Sequence, residues 1–220
     1  MSKNVVLWGC GQMAEVAYFY LTNDSEYDVV AFCMDKKYIA CETFHEKPVI
    51  AFEDIDKIFP PEDVDLCFLI SYSKMNDLRT EKYLEAKKKG YKFISYVSSK
   101  ASYYNTQIGE NTFIMENNVI QPYTQIGNNV IMWSGNHLGH HSIIEDNCFV
   151  ASQVVISGST IIGQNSFLGV NSTVRDNVRI GKYNLIGAGT VILKDTEDYD
   201  VYTTRETIKI EKKSTDVRHI

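Results

Sequence analysis

Three of the chain's five histidines, His137, His140 and His141, fall within five residues, in the run GNHLGHHSIIEDN. Imidazole takes up and releases a proton near neutral pH, so the cluster is a candidate general base for attack by an amine or hydroxyl. A lone histidine in a polar run is usually a solvated surface group, and three together count against that reading. A second candidate lies near the start, where the apolar run Val5–Trp8 leads into GCGQMAE. Glycines between a strand and a helix let a phosphate reach the helix N-terminus, and Asp35 ends the next apolar run, as in dinucleotide folds. The third glycine position of that pattern is Ala14, so the turn alone is balanced between a nucleotide site and a plain strand-to-helix connection.

The element that must carry the histidines has a period of six. From Ile108 to Ile192, every sixth residue is aliphatic, fifteen positions without a gap or insertion. Seven glycines (Gly109, Gly127, Gly139, Gly163, Gly169, Gly181, Gly187) directly follow one of these residues, and short side chains such as Thr112, Asn136, Ser142 and Thr160 dominate four places after it. A helix requires a 3.6 period and a half-buried strand a period of two, and neither can hold this spacing. A period this long points to a solenoid, with the aliphatic side chain inside, the short one beside it, and glycine supplying backbone freedom at a corner.

Residues 1–100 read as a small parallel α/β unit: strands at Val5–Trp8, Val29–Met34, Cys67–Ser71 and Phe93–Val97, a helix from Met13 to Leu21, and a charged helix Asp77–Lys89 closed by Gly90. Residues 196–220 form a tail without proline. The net charge of −6 is spread along the chain, which argues against nucleic acid as a partner. The short, glycine-broken apolar start and the absence of any apolar run of about 18 residues argue against a secretion signal and a membrane span. Five cysteines without a CxxC pair suit reduced thiols in the cytoplasm.

The hexads resemble those of left-handed parallel β-helices, in which three hexads make one triangular coil; fifteen would make about five coils over residues 101–195. A Rossmann-like unit followed by uninterrupted hexads resembles the bacterial sugar O-acyltransferase family related to sialic acid O-acetyltransferase. That family includes N-acetyltransferases acting on nucleotide-linked amino sugars of the bacillosamine-pathway type in glycan biosynthesis. The resemblance rests on GNHLGHHSIIEDN, GSTIIGQNSFLGVNSTV and LIGAGTVILKDT. It implies an acetyl-coenzyme A-dependent transferase with no metal, working as a homotrimer whose acyl sites lie between subunits. By position it makes His140 the general base and Gly158 the oxyanion donor. Phe149, Gly158, Val170 and Ala188 become the coenzyme contacts, and Gly11, Gln12, Met13, Asp35, Lys36 and Tyr72 the nucleotide-sugar contacts. Where the family has an acidic residue after the base, this chain has His141, and the family's Val-Pro-Ala-Lys segment is missing. Three other readings stand beside transfer to an amine: transfer to a sugar hydroxyl, a zinc site of carbonic-anhydrase type using the histidines, and a solenoid that only binds. The zinc reading is weakened because the coil neighbours of His140, Pro122 and Gly158, carry no ligating side chain.

Overall fold

The structure, a computed structural model, describes residues 3–205, 209 and 211. The tail residues 206–208, 210 and 212–220 lie outside the described residues. Strands β1 (Asn4–Trp8), β2 (Asp28–Met34), β3 (Thr43–Phe44), β4 (Lys47–Ala51) and β5 (Asp65–Cys67) form one sheet in the order β3-β4-β2-β1-β5. All pairs are parallel except the β3–β4 hairpin, whose turn carries His45 and Glu46 in the left-handed region. Helices α1 (Gln12–Asp24), α2 (Ile55–Ile58) and α3 (Asp77–Lys88) pack around the sheet. As the sequence reading expected, α3 stops at a glycine: Gly90 has φ +91°, and the Tyr91 N–H reaches back to the Ala86 carbonyl.

The remainder is a three-sided parallel β-helix of two-residue strands. One face runs from Ser102–Tyr103 to Val191–Ile192 in six strands. The second has five, from Gln107–Ile108 to Arg179–Ile180, and the third seven, from Tyr96–Val97 to Val201–Tyr202. Within the hexads each strand pairs with the one 18 residues on, as in His137 with Val155 and Ile144 with Ile162, and at the ends the step is shorter, as in Ser102 with Val119 and Leu185 with Val201. The solenoid therefore extends past the fifteen hexads at both ends. The periodic aliphatics from Ile114 onward fill the prism and are almost wholly buried.

Two local expectations are corrected. The glycines after the aliphatics do not turn the corners, because no left-handed φ occurs there; they allow close approach instead. A Cβ on Gly127 would lie 2.8 Å from the Asp146 nitrogen, and one on Gly163 2.6 Å from the Gly181 carbonyl carbon. The corners are turned two places later, mostly by asparagines such as Asn111, Asn129, Asn147 and Asn165, all with positive φ. The expected strands Cys67–Ser71 and Phe93–Val97 are also divided. Phe68 leaves the ladder because both its N–H and its carbonyl bond the Asn111 side chain, and Tyr96–Val97 belongs to the third face rather than to the α/β sheet.

The two units share a core. Ala14, Ala17 and Leu21 of α1 pack with Leu7 and Phe32 against Tyr96, Phe113, Met115, Ile131 and Phe149 of the third face. Polar groups also close the seam, Asp24 and Arg79 among them. Asp24 at the end of α1 accepts from the Tyr96 hydroxyl (2.6 Å), the Ser98 hydroxyl and the Ser99 N–H (both 2.9 Å). These donors hold its carboxyl well below the usual carboxylate range. Arg79 of α3 is fully buried. It donates to the carbonyls of Ile70 and Asn129 (both 3.1 Å), Asn147 (2.7 Å) and Cys148 (3.2 Å), and to the Asn76 side chain (3.0 Å). Burial lowers its pKa to about 9, so it stays charged at neutral pH.

Replacing Arg79 by Leu removes these donors and leaves the carbonyls of Ile70, Asn129 and Asn147 without partners, whereas that of Cys148 keeps the Ile131 N–H. With each such group costing about 1–3 kcal/mol, the loss of stability is expected to reach at least about 3 kcal/mol. Denaturant unfolding monitored by tryptophan fluorescence checks this, since Trp8 and Trp133 both lie in the α/β half or at its seam.

Candidate active site

The histidine cluster divides across a corner. His137 lies half-buried in a strand of the first face, in ladder with Val119 and Val155, which makes it part of the wall. Asn136 beside it is buried, its amide donating to the Trp133 carbonyl and its oxygen accepting the Val154 N–H (2.8 Å). His140 and His141 follow at the corner between the first and second faces, both exposed. His141 holds the left-handed corner position, φ 58°, where other coils place Asn105, Tyr123, Ser159 and Asn177.

The His140 ring lies over Gly158, one coil on. A Cβ at Gly158 would be 2.7 Å from the His140 Cε1 and 2.8 Å from its Nε2, so only glycine leaves room for the ring. Among the described residues the Gly158 N–H has no hydrogen-bond partner. The peptide that follows it is fixed at both ends, its Gly158 carbonyl by the Asn177 N–H at 3.0 Å and its Ser159 N–H by the His140 carbonyl at 2.8 Å, so the backbone on one side of the free donor is held. The backbone of His140 is fixed in turn by the Gln121 Oε1, which accepts its N–H at 2.9 Å. A proton acceptor and a free backbone donor therefore meet at one exposed corner, the pair of groups that attack on a carbonyl requires.

The positions expected to bind a nucleotide sugar cluster elsewhere. Gly9, with φ +86°, bonds its N–H to the Cys33 carbonyl (2.8 Å) and tightens the turn, leaving Gly11 and Gln12 exposed at the start of α1. The Cys10 thiol in this turn is pushed up to about 11 by burial and by Cys41 beside it. Asp35 ends β2, and one of its oxygens pairs with Lys82 of α3 at 2.5 Å. Lys36 is exposed, and its backbone N–H is held by the Glu53 carboxylate at 3.0 Å. Met13 and Tyr72 border a hollow of about 210 Å³ with Ser71, Trp133, Phe149, Ala151, Ser152 and Val170. Trp133 also walls a larger apolar hollow, about 500 Å³, with Tyr18, Phe19 and His45.

The expected coenzyme positions do not form a single line. Val170 and Ala188 stand 18 residues apart in one corner column and are exposed. Phe149 is 3% exposed, because the Tyr72 ring lies 5.2 Å from it and Phe167 stacks against it at 5.5 Å. It forms the inner wall of the hollow that Met13 and Tyr72 border. The hollow opens by the corner after the third face, whereas His140 sits at the corner after the first. Sequence reasoning missed Gln121 and Tyr123, both legible from the coil spacing: Tyr123 is 18 residues before His141 and its ring stands 4.8 Å from the imidazole.

Among the described residues no three or more His, Cys, Asp or Glu side chains come together as a metal site, and no helix is long and apolar enough to cross a membrane. The family described as bacterial transferase hexapeptide (six repeats) matches residues 105–138, 123–158 and 159–194. A search of curated proteins finds no match. Among solved structures, the acetyltransferase domain of PglB from Neisseria gonorrhoeae FA1090, also solved with acetyl coenzyme A, is 21% identical. The match covers 91% of this chain and 96% of that one, with a TM-score of 0.82. PerB from Caulobacter crescentus, solved with CoA and GDP-perosamine, is 23% identical over 90% of this chain and 92% of that one, TM-score 0.80. WeeI from Acinetobacter baumannii AYE is 17% identical over 91% and 96%, TM-score 0.58. These likenesses show the fold: a small α/β unit followed by a left-handed parallel β-helix of hexapeptide repeats.

Gly158→Ala tests the corner. Its Cβ must drive the His140 ring aside, and since that ring is exposed the melting temperature is expected to change by no more than about 2 °C. The displacement should appear as shifted His140 imidazole resonances.

Proposed function

We propose that the chain transfers an acetyl group from acetyl-coenzyme A to the amino group of a nucleotide-linked deoxy-amino sugar. The observation that carries this is the His140 imidazole resting over the unpartnered Gly158 N–H. PglB's acetyltransferase domain and PerB, which share the fold, were solved with acetyl coenzyme A and with CoA and GDP-perosamine respectively. The α/β unit holds the nucleotide sugar through the open start of α1 at Gly11, Gln12 and Met13, through Asp35 and Lys36, and against Tyr72. Val170 and Ala188 line the coenzyme groove, with Phe149 as wall behind it. Five free thiols suit a cytoplasmic enzyme.

In this mechanism the amine nitrogen attacks the thioester carbonyl carbon directly, without an acyl-enzyme, as His140 takes a proton from that nitrogen. The carbonyl oxygen becomes an oxyanion and accepts the Gly158 N–H. Collapse breaks the carbon–sulfur bond, and the departing thiolate takes the proton back from His140. A fixed donor of this kind is worth roughly 10²–10³ in rate, and base catalysis roughly 10²–10⁴.

Thiol release measured with acetyl-coenzyme A and a panel of nucleotide amino sugars tests the reading. His140→Ala is expected to lower kcat by at least about two orders of magnitude with the fold unchanged by circular dichroism. An active His140→Ala would remove His140 as the base, and no acceptor among the amino sugars would overturn the reading itself.

Within one chain the base and the sugar-side hollow lie at different corners, so the reading requires a second copy to bring them together. A closed trimer does this, placing one protomer's His140 corner against the next protomer's hollow. Light scattering is expected to give about three times 25.1 kDa. A monomer with full turnover would remove the intersubunit site.

A further inference from the structure

Resting on the acyl-transfer reading, we propose that His141, held by the Tyr123 ring, is a positioning residue for His140. It accepts the His140 Nδ1–H and thereby leaves Nε2 as the lone pair that takes the substrate proton. The His140 Nδ1 stands 3.1 Å from the His141 Nδ1, with the two rings nearly perpendicular at 85°. Two facing ring nitrogens at that distance can share only one proton, so each ring's tautomer dictates the other's. If His140 donates, its Nε2 is bare; if His141 donates, His140 carries its proton on Nε2 and cannot act as base there. The edge set against Gly158 runs through Cε1, with Nε2 2.8 Å and Nδ1 3.1 Å from where a Gly158 Cβ would stand; with Nδ1 engaged by His141, Nε2 is the nitrogen left at Gly158, whose free N–H would receive the oxyanion.

Three features hold the pair in register. His141 occupies the left-handed corner, which turns its side chain back toward its neighbour, and its own N–H is bonded to the Pro122 carbonyl at 3.3 Å. The Tyr123 ring, one coil earlier at the same corner, stands 4.8 Å from the His141 ring at 33°. Tyr123 is itself left-handed, φ 65°, an uncommon state for a bulky aromatic, and is 74% exposed. Its site gives it no core to fill, and its ring's contact is the imidazole. When the amine proton arrives on His140 Nε2, the Nδ1 proton is shared with His141 Nδ1. The added charge then spreads over two rings, one of them beside an aromatic face that favours a cation. The balance is one proton taken from the amine and one later returned to the leaving thiolate.

The test uses the full chain with ¹⁵N-labelled histidine, first without substrate. His140 is expected as the Nδ1–H tautomer in the wild type. It should lose that single tautomer in His141→Gly, a change the left-handed corner tolerates. In the thiol-release assay His141→Gly is expected to lower kcat by about tenfold or more while KM for either substrate stays within about twofold. His141→Glu, which restores an acceptor, should recover most of kcat; Glu46 shows that glutamate takes this backbone state here. Tyr123→Ala should lower kcat by about threefold. An Nε2–H tautomer for His140 in the wild type would overturn the inference whatever the activity, as would wild-type kcat in His141→Gly. No thiol release by the wild type with any nucleotide amino sugar would instead overturn the acyl-transfer reading, and the tautomer spectra would still decide the pairing.

Discussion

Successive coils stack so closely that at chosen places no side chain fits between them, and much of the molecule follows from that one constraint. Parallel strands lie about 4.8 Å apart in the hydrogen-bonding direction. Where the polypeptide bends out of a strand, the Cα of one coil faces the peptide of the next, and a Cβ there would intrude to 2.4 Å in the tightest cases. Gly109, Gly127, Gly139 and Gly163 answer that requirement with absent atoms. Gly158 answers a different one, because its missing Cβ makes space for a ring rather than for a backbone. The feature that stacks the solenoid thus also lets an imidazole lie against a free N–H, and the site is made from the scaffold's own spacing.

The orientation of the α/β unit is set by polar groups rather than by the apolar stripe alone. Packing of α1 on Phe113, Ile131 and Phe149 would tolerate some sliding, since hydrophobic contact is not directional. Arg79 removes that freedom. Its planar fork meets carbonyls from two coils at once, those of Asn129 and of Asn147 and Cys148. Asn76 and Asn165 continue the same seam, where an asparagine ladder runs from Asn111 through Asn129 and Asn147. Tyr72 leaves the strand region just before this seam, so the fixed angle at α3 also fixes where its ring meets Phe149 and Phe167.

What the sequence makes legible is what repeats. The fifteen aliphatics, the 18-residue coil and the pairing of position 140 with 158 all follow from counting, and so does the neighbourhood of His141 and Tyr123. Features that break the repeat stayed hidden. Helix α3 reads as a charged surface helix, yet Arg79 and Lys82 lie on its buried face, because long basic side chains can satisfy carbonyls and carboxylates that sequence does not reveal. Phe68 reads as strand, yet Asn111, 43 residues away, takes over its backbone bonds. Glycine reads as a flexible corner residue, whereas here the backbone needs its smallness in one place and asparagine's tolerance of positive φ in another. The hairpin of β3 and β4 carries too few residues for any period to show.

The geometry of a triangular prism then constrains the chemistry. A corner is convex, so a corner histidine is easily reached by solvent but cannot by itself enclose a substrate, and His140 stands on such an edge. The hollows that Met13, Tyr72 and Trp133 border lie elsewhere, at the junction where α1 meets the third face. A convex edge carrying the proposed base and a concave junction lacking one are complementary shapes on the same chain, separated by the width of one face. In the proposed trimer, joining them by rotation about an axis parallel to the prism would exclude water from the edge and supply the enclosed, weakly screened setting in which a single backbone donor counts most. On that proposal the residue on the edge must keep its proton arrangement while exposed in the free protomer, and a neighbouring ring nitrogen with its own aromatic support would provide that hold before any partner arrives.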